Sequence, residues 1–148
     1  MVHAMCIRNA VLSDAADLAI LATELGYASK ADEMRNRLSR VLEQDDQFVA
    51  VAILEGTIVG WLQACTSEVL ETGFRAEIVG LIVSERSRRR GVGRRLVQSA
   101  EHWARARGAN TIVVRSNIKR LASHEFYPAL GYLPAKTQAV YRKELKGS

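Results

Sequence analysis

The chain has 148 residues, 48% of them hydrophobic and 25% charged, with a net charge of +5. That composition fits a single compact domain over residues 1–148 and excludes a disordered, fibrous or two-domain reading. No apolar run approaches the roughly 18 residues of a membrane span, and the opening MVHAMCIRNA lacks the layout of a secretory leader, so a cytoplasmic protein without a membrane partner is expected.

In chain order, CIRNA (6–10) reads as a short strand. Ser13 and Asp14 supply a capping signal for a helix through LAILATEL, which Gly26 ends. A second helix is predicted from Lys30 to Glu43, with Met34, Leu38, Val41 and Leu42 at helical spacing. FVAVAIL (48–54) and TIVGWLQAC (57–65), joined by Glu55-Gly56, read as a hairpin. FRAEIVGLIV (74–83) is a long strand, too continuously apolar at its end to face water. From Gly91 to Arg107, residues Val92, Leu96, Val97, Ala100, Trp103 and Ala104 fall on one helical stripe, and Gly108 stops it. TIVVRS (111–116) is a strand, 119–130 a helix interrupted near Pro128, and QAVYRKEL (138–145) a last strand. This order describes an α/β domain around a mixed sheet. Trp61 and Trp103 read as core. Cys6 and Cys65 lie in apolar strand segments without metal-ligand spacing, which predicts buried, reduced thiols and no metal.

The charge is unevenly placed. Residues 1–85 hold six Lys and Arg against thirteen Asp and Glu, whereas residues 86–148 hold fifteen against three, a split of −7 to +12. Six of the arginines fall within residues 86–95, in RSRRRGVGRRLV. A nucleic-acid binder spreads its basic residues over a broad face and interleaves aromatics; aromatics are only 6% of this chain and none lies in the run, so no nucleic-acid partner is expected. The run instead lies between a strand and a helix start. There unpaired backbone N–H groups and the positive end of the helix dipole bind phosphate, provided the backbone turns sharply and comes close. Gly91 and Gly93 allow both. No GxGxxG follows a strand and no GxxxxGK[ST] is present, which argues against dinucleotide and ATPase sites. A solvated helix face, with glycines that merely turn the chain, stays open.

Arg88-Arg89-Arg90-Gly91-Val92-Gly93 resembles the [Q/R]-x-x-G-x-[G/A] signature of the GNAT superfamily of acetyl-CoA-dependent N-acetyltransferases. AEIVGLIV (76–83) is similar to the family's central strand, and Asn117, Phe126-Tyr127 and Gly131-Tyr132 resemble its N…FYxxLG[FY] motif. The trailing KTQAVYRKEL is similar to the last strand of small bacterial members, so the resemblance covers about residues 5–145. Arg89 departs from the pattern, standing where many members carry Gly; only its backbone N–H is needed there, so the departure should be tolerated. The resemblance implies a central, mostly antiparallel mixed sheet of six to seven strands flanked by about four helices, with the strands at 77–83 and 111–116 splayed.

It also implies roles. The loop of Arg88, Arg89, Arg90, Gly91, Val92, Gly93 and Arg94 would cradle the pyrophosphate of coenzyme A with its N–H groups. The pantetheine arm would lie along Leu81, Ile82 and Val83, with the Leu81 N–H polarising the thioester oxygen. Asn117 would either bond that arm or cap the next helix. Glu77 matches the general base of the histone-acetylating members, and its apolar neighbours predict a carboxyl that takes up a proton more readily than an exposed one; the alternative is a structural strand residue. Tyr127 matches the general acid, the alternative being an aromatic packed on Phe126. With neither cysteine near the predicted thioester, direct attack in a ternary complex is expected rather than an acyl-enzyme. The acceptor is a primary amine on a cationic small molecule or a protein, near Glu77 and the 66–73 loop, with Glu24, Glu33, Glu68 and Glu71 on the overhanging helices and loop. A catalytically weak CoA-binding sensor or interaction module is the first alternative; an RNA or DNA binder, whose affinity would fall steeply with salt, is the second; a homodimer is left open.

Overall fold

The computed structural model describes residues 4–115 and 121–146. Its contacts divide into two units, Met1–Arg115 and Ser116–Ser148. In the first, β1 (Met5–Asn9), β2 (Gln47–Leu54), β3 (Thr57–Val69), β4 (Gly73–Val83) and β5 (Ile112–Val114) form one sheet in chain order. The first four strands pair antiparallel, and β5 runs parallel to β4. A parallel neighbour needs a crossover, which α3 (Val92–Ala106) provides, while α1 (Ala15–Glu24) and α2 (Ala31–Leu42) lie between β1 and β2.

Strand alternation assigns the two faces. Val49 and Val51 join Leu18 of α1 and Leu38 of α2 in one core. Their neighbour Phe48 points the other way and stacks on Trp103 of α3, ring centroids 5.2 Å apart. The expected α3 stripe is the buried one: Val92, Leu96, Val97, Ala100 and Ala104. The helix sits close to β3 because residue 60 has no side chain. A Cβ there would stand 3.0 Å from the Ile82 carbonyl oxygen, 3.1 Å from Val92 and 3.2 Å from Leu96. Trp61 is core as expected, its indole N–H donating to the Leu18 carbonyl at 3.2 Å.

Several expectations change in detail. Asp14 does not cap α1 with its side chain. It reaches back, accepting from the Val11 N–H at 2.8 Å and from both terminal nitrogens of Arg8 at 2.8 and 3.0 Å. The hairpin strand β3 runs on to Val69, so most of the anticipated 66–73 loop is strand and the turn is only Leu70–Thr72. Cys6 is exposed and Cys65 half-buried, so neither thiol is sequestered as expected. In the second unit, α4 (Leu121–Ala129) contains Pro128 in its last turn instead of breaking before it. The strand expected over 138–145 is absent: residues 133–146 carry no ladder, and Val140, Tyr141 and Leu145 are exposed. A strand exists only through its partner, and the described residues of this unit offer none. Among the described residues the sheet therefore has five strands rather than six to seven, and the chain carries four α-helices, within the expected α/β class.

Candidate active site

The parallel ladder between β4 and β5 is short. It pairs Ala76 with Ile112, Glu77 with Val113 and Ile78 with Val114, and then stops while β4 continues to Val83. At that point β4 also bulges. Gln63 faces Gly80 and Ala64 faces Ile78, leaving Val79 as the extra residue. Beyond the bulge Val79 is exposed, and Gly80, Leu81 and Val83 are only half-buried. The apolar end of β4 is thus not fully sequestered, contrary to expectation, because β5 has ended beside it. The backbone direction follows from one bond: the Ser84 N–H donates to the Val59 carbonyl of β3 at 2.8 Å. Alternation then turns the N–H groups of Leu81 and Val83 away from β3, toward the flank β5 has left, while Ile82 faces β3.

Next along the chain comes the arginine run. A one-turn 3₁₀ segment, Glu85–Ser87, leads into it, and Gly91 stands at the head of α3 with φ of +80°. The first helical bond runs from the Arg95 N–H to the Gly91 carbonyl at 3.0 Å, so the N–H groups of Val92, Gly93 and Arg94 have no partner within the helix. A Cβ on Gly91 would meet nothing within 4 Å, so the space before this turn is open. Arg89 also adopts a left-handed backbone, φ +65°, the region glycine enters freely and other residues enter at a cost. That explains why a glycine is common at its place. Arg86, Arg88, Arg89, Arg90 and Arg94 are exposed, and none pairs with a carboxylate among the described residues; Arg95 donates to the Met5 carbonyl at 3.4 Å. Five guanidinium groups without a carboxylate partner among the described residues, and three N–H groups unbonded within the helix, concentrate positive charge at this helix start.

Glu77 stands on the opposite side of β4 from Ile78. Its ladder partner on β3 is Cys65, whose own partner on β2 is Gln47, so these side chains share one face of the sheet. Gln63 donates to Gln47 on that face at 3.1 Å. The apolar surroundings expected for Glu77 are not found. Its Oε2 accepts from the Arg115 Nη1 at 2.7 Å, with Glu77 18% and Arg115 59% exposed. Burial, and then the nearby Glu77 and Asp46 carboxylates, push the Cys65 thiol up. A thiol held in that form is a weak nucleophile.

Tyr127 belongs to the second unit and is positioned by how α4 ends. The Tyr132 N–H donates to the Tyr127 carbonyl and the Gly131 N–H to that of Pro128, both at 3.0 Å, with Gly131 at φ +92°. These two bonds form a Schellman ending, which brings residues 127 and 132 together. The Tyr127 ring contacts Tyr132 at 5.8 Å and Phe126 at 4.9 Å, edge-on in both cases. Asn117 lies outside the described residues. Glu24, Glu33, Glu68 and Glu71 are all exposed. Sequence reasoning did not single out Arg115, because a lone arginine at a strand end gives no sign of its partner until the β4–β5 register is known.

Residues 15–132 match the acetyltransferase (GNAT) family. An uncharacterised N-acetyltransferase of Chlorobaculum tepidum is 32% identical over 127 residues, covering 86% of this chain and 74% of that protein. An aminoglycoside N(6′)-acetyltransferase type 1 of Serratia marcescens is 25% identical over 130 residues, covering 84% and 89%. Among solved structures, the aminoglycoside N-acetyltransferase AAC(6′)-Iy in complex with CoA superposes with a TM-score of 0.88 at 19% identity, covering 98% of each chain. AAC(6′)-Ih from Acinetobacter baumannii gives 0.83 at 21% identity, covering 97% of this chain and all of its own. With the sheet parting beside an arginine-rich helix start, and with this sequence match over most of its length, the chain belongs to the GNAT family and is an acetyl-CoA-dependent N-acetyltransferase.

Proposed function

We propose that the acceptor is a primary amine on a cationic small molecule, with aminoglycosides as the leading class, and that it attacks directly while both substrates are bound. The observation that carries this reading is the end of the β4–β5 ladder at Ile78, one residue past Glu77. It leaves the outward N–H groups of Leu81 and Val83 on the same strand as a half-buried carboxylate, four and six residues along from it. The residues present fit acetyl-CoA: the orphan N–H groups from Val92 to Arg94 and the arginines Arg88, Arg89, Arg90 and Arg94 for its phosphates, open space before Gly91, and the flank of Leu81, Ile82 and Val83 for its extended arm. Bound there, it supplies an activated acyl group.

Two proton tasks remain for the chain. An alkyl amine of pKa about 10.4 is neutral in only about 1 in 2,500 molecules at pH 7, a cost of about 4.6 kcal/mol. Glu77 takes that proton, directly or through water. The Leu81 N–H stabilises charge building on the carbonyl oxygen. Tyr127 protonates the departing thiolate through its phenolic O–H. The raised Cys65 thiol supports direct attack over a cysteine-bound acyl group. The aminoglycoside class is supported by the names of the Serratia relative and of the structural neighbours. The free Cys6 and Cys65 support a reducing, cytoplasmic setting.

A panel of amines assayed with acetyl-CoA by release of free thiol tests the reading. Aminoglycosides with an amine at the 6′ position should outperform those with a hydroxyl there and outperform neutral amines. Preference for a neutral or anionic acceptor overturns it.

A further inference from the structure

We infer that Arg115 is a positioning residue for Glu77: its guanidinium holds one carboxylate oxygen and leaves the other directed to the acceptor. The inference rests on the proposed role of Glu77 as base. Its origin is the strand register. Ile78↔Val114 is the last pair of the parallel ladder, so Glu77 is the penultimate paired residue of β4 and Arg115 is the first residue released from β5. The parting that opens the flank of β4 therefore delivers a cation to the carboxylate beside it. The contact is made by a single nitrogen, Nη1, to a single oxygen, Oε2, at 2.7 Å. Among the described residues Oε1 has no hydrogen-bond partner.

The other charged and titratable groups nearby cannot do this. Cys65 on β3 is a raised thiol, and Asp46, before β2, is a like charge. Arg75, two residues back on β4, shares the alternation of Glu77, and no ion pair joins the two among the described residues. Without Arg115 a carboxylate only 18% exposed would face those groups with no cation holding its rotamer. The exposure of Arg115, 59%, speaks against a mainly structural role, since ion pairs with a solvated partner contribute little to folding. A base must be held within a narrow range of positions to accept a proton in the transition state.

A double-mutant cycle tests this with the full chain, acetyl-CoA and the best acceptor of the amine panel. Arg115→Met should lower kcat about tenfold, as loss of an orienting contact does, with acetyl-CoA affinity and melting temperature retained. Arg115→Lys should restore most of that loss. In the Glu77→Gln background, Arg115→Met should cause no further loss, because its effect passes through Glu77. Equal losses in both backgrounds, or no loss in either, overturn the role of Arg115. If Glu77→Gln alone keeps full kcat, the base reading fails instead, and the two failures are told apart by that single variant. Should Arg115→Met fold poorly, Arg115→Gln carries the same comparison: a kcat loss that disappears beside Glu77→Gln supports positioning, and equal losses in both backgrounds, or no loss in either, overturn it.

Discussion

Tyr127 owes its position to a helix ending rather than to a loop, and its ring is held by Phe126 and Tyr132. Tyr127→Phe keeps those ring contacts and removes only the hydroxyl. It should leave acetyl-CoA affinity unchanged by calorimetry while kcat falls about 10²–10⁴-fold; an unchanged kcat in a chemistry-limited assay makes Tyr127 a packing residue. Asp14 offers a test of stability instead. The Arg8 hydrogen bond, outweighing the effect of burial, holds its carboxyl below the usual range. A carboxyl lowered by folding stabilises the native state above its unfolded pKa of about 3.9, and that contribution is lost as pH falls through the lower folded value. Asp14→Asn should cost about 1–3 kcal/mol at neutral pH, toward the lower end because Arg8 is partly exposed. In thermal melts the gap from wild type should close as pH drops below 4. Both residues were visible in the sequence, Tyr127 through the motif it shares with Phe126 and Gly131, and Asp14 as a helix cap that it does not make. A capping signal names an acceptor, but the local backbone decides which N–H it meets, and Arg8 six residues earlier competes for the same oxygens.

The strand-to-helix turn at residues 88–94 is where the sequence spoke most clearly, because glycines, arginines and an amphipathic stripe all coincide there. Gly91 has room before it but a left-handed backbone. Gly91→Val adds strain of about 1–2 kcal/mol and places a branched side chain in the open space of the proposed phosphate site, so acetyl-CoA binding should vanish in a chain that still melts cooperatively. Equal affinity in that variant removes the loop from the site. Arg89→Gly tests the other left-handed position, φ +65°. It removes a side chain but keeps the N–H, so affinity should change by no more than a single charge-assisted bond allows, whereas Arg89→Pro should abolish it. Elements with their own period, such as α3 and the β2–β3 hairpin, were legible. Elements defined by a neighbour were not. TIVVRS gave only the three residues Ile112–Val114, and the alternation in QAVYRKEL found no partner. The bulge at Val79 was equally hidden, since a run of aliphatic residues reads the same with or without an extra one.

Across the whole molecule, charge is the property with functional reach. The −7 to +12 split between residues 1–85 and 86–148 offers an anionic co-substrate a basic segment and a cationic acceptor an acidic one. Fields of this kind act mainly on encounter, and salt screens them over a Debye length of about 8 Å at physiological ionic strength. The acceptor KM should therefore rise with added salt for a polycationic amine and stay flat for a neutral one. A salt-independent KM for the polycation would assign the acidic residues to solvation of α1 and α2 alone. No helix among the described residues is long and apolar enough to cross a membrane.

Among the described residues no strand pairs with β4 past Ile78 on the β5 side, and this has a consequence for amide exchange. Ser84 donates to β3 and Ile82 faces it, whereas Leu81 and Val83 turn their N–H groups to the vacated flank. In the free protein, deuterium should enter at Leu81 and Val83 orders of magnitude faster than at Ile82 and Ser84, a one-on, one-off pattern within a single strand. If the arm of coenzyme A lies along β4 as proposed, adding coenzyme A should slow the two fast amides selectively; equal protection of all four amides, or of none, counts against that placement.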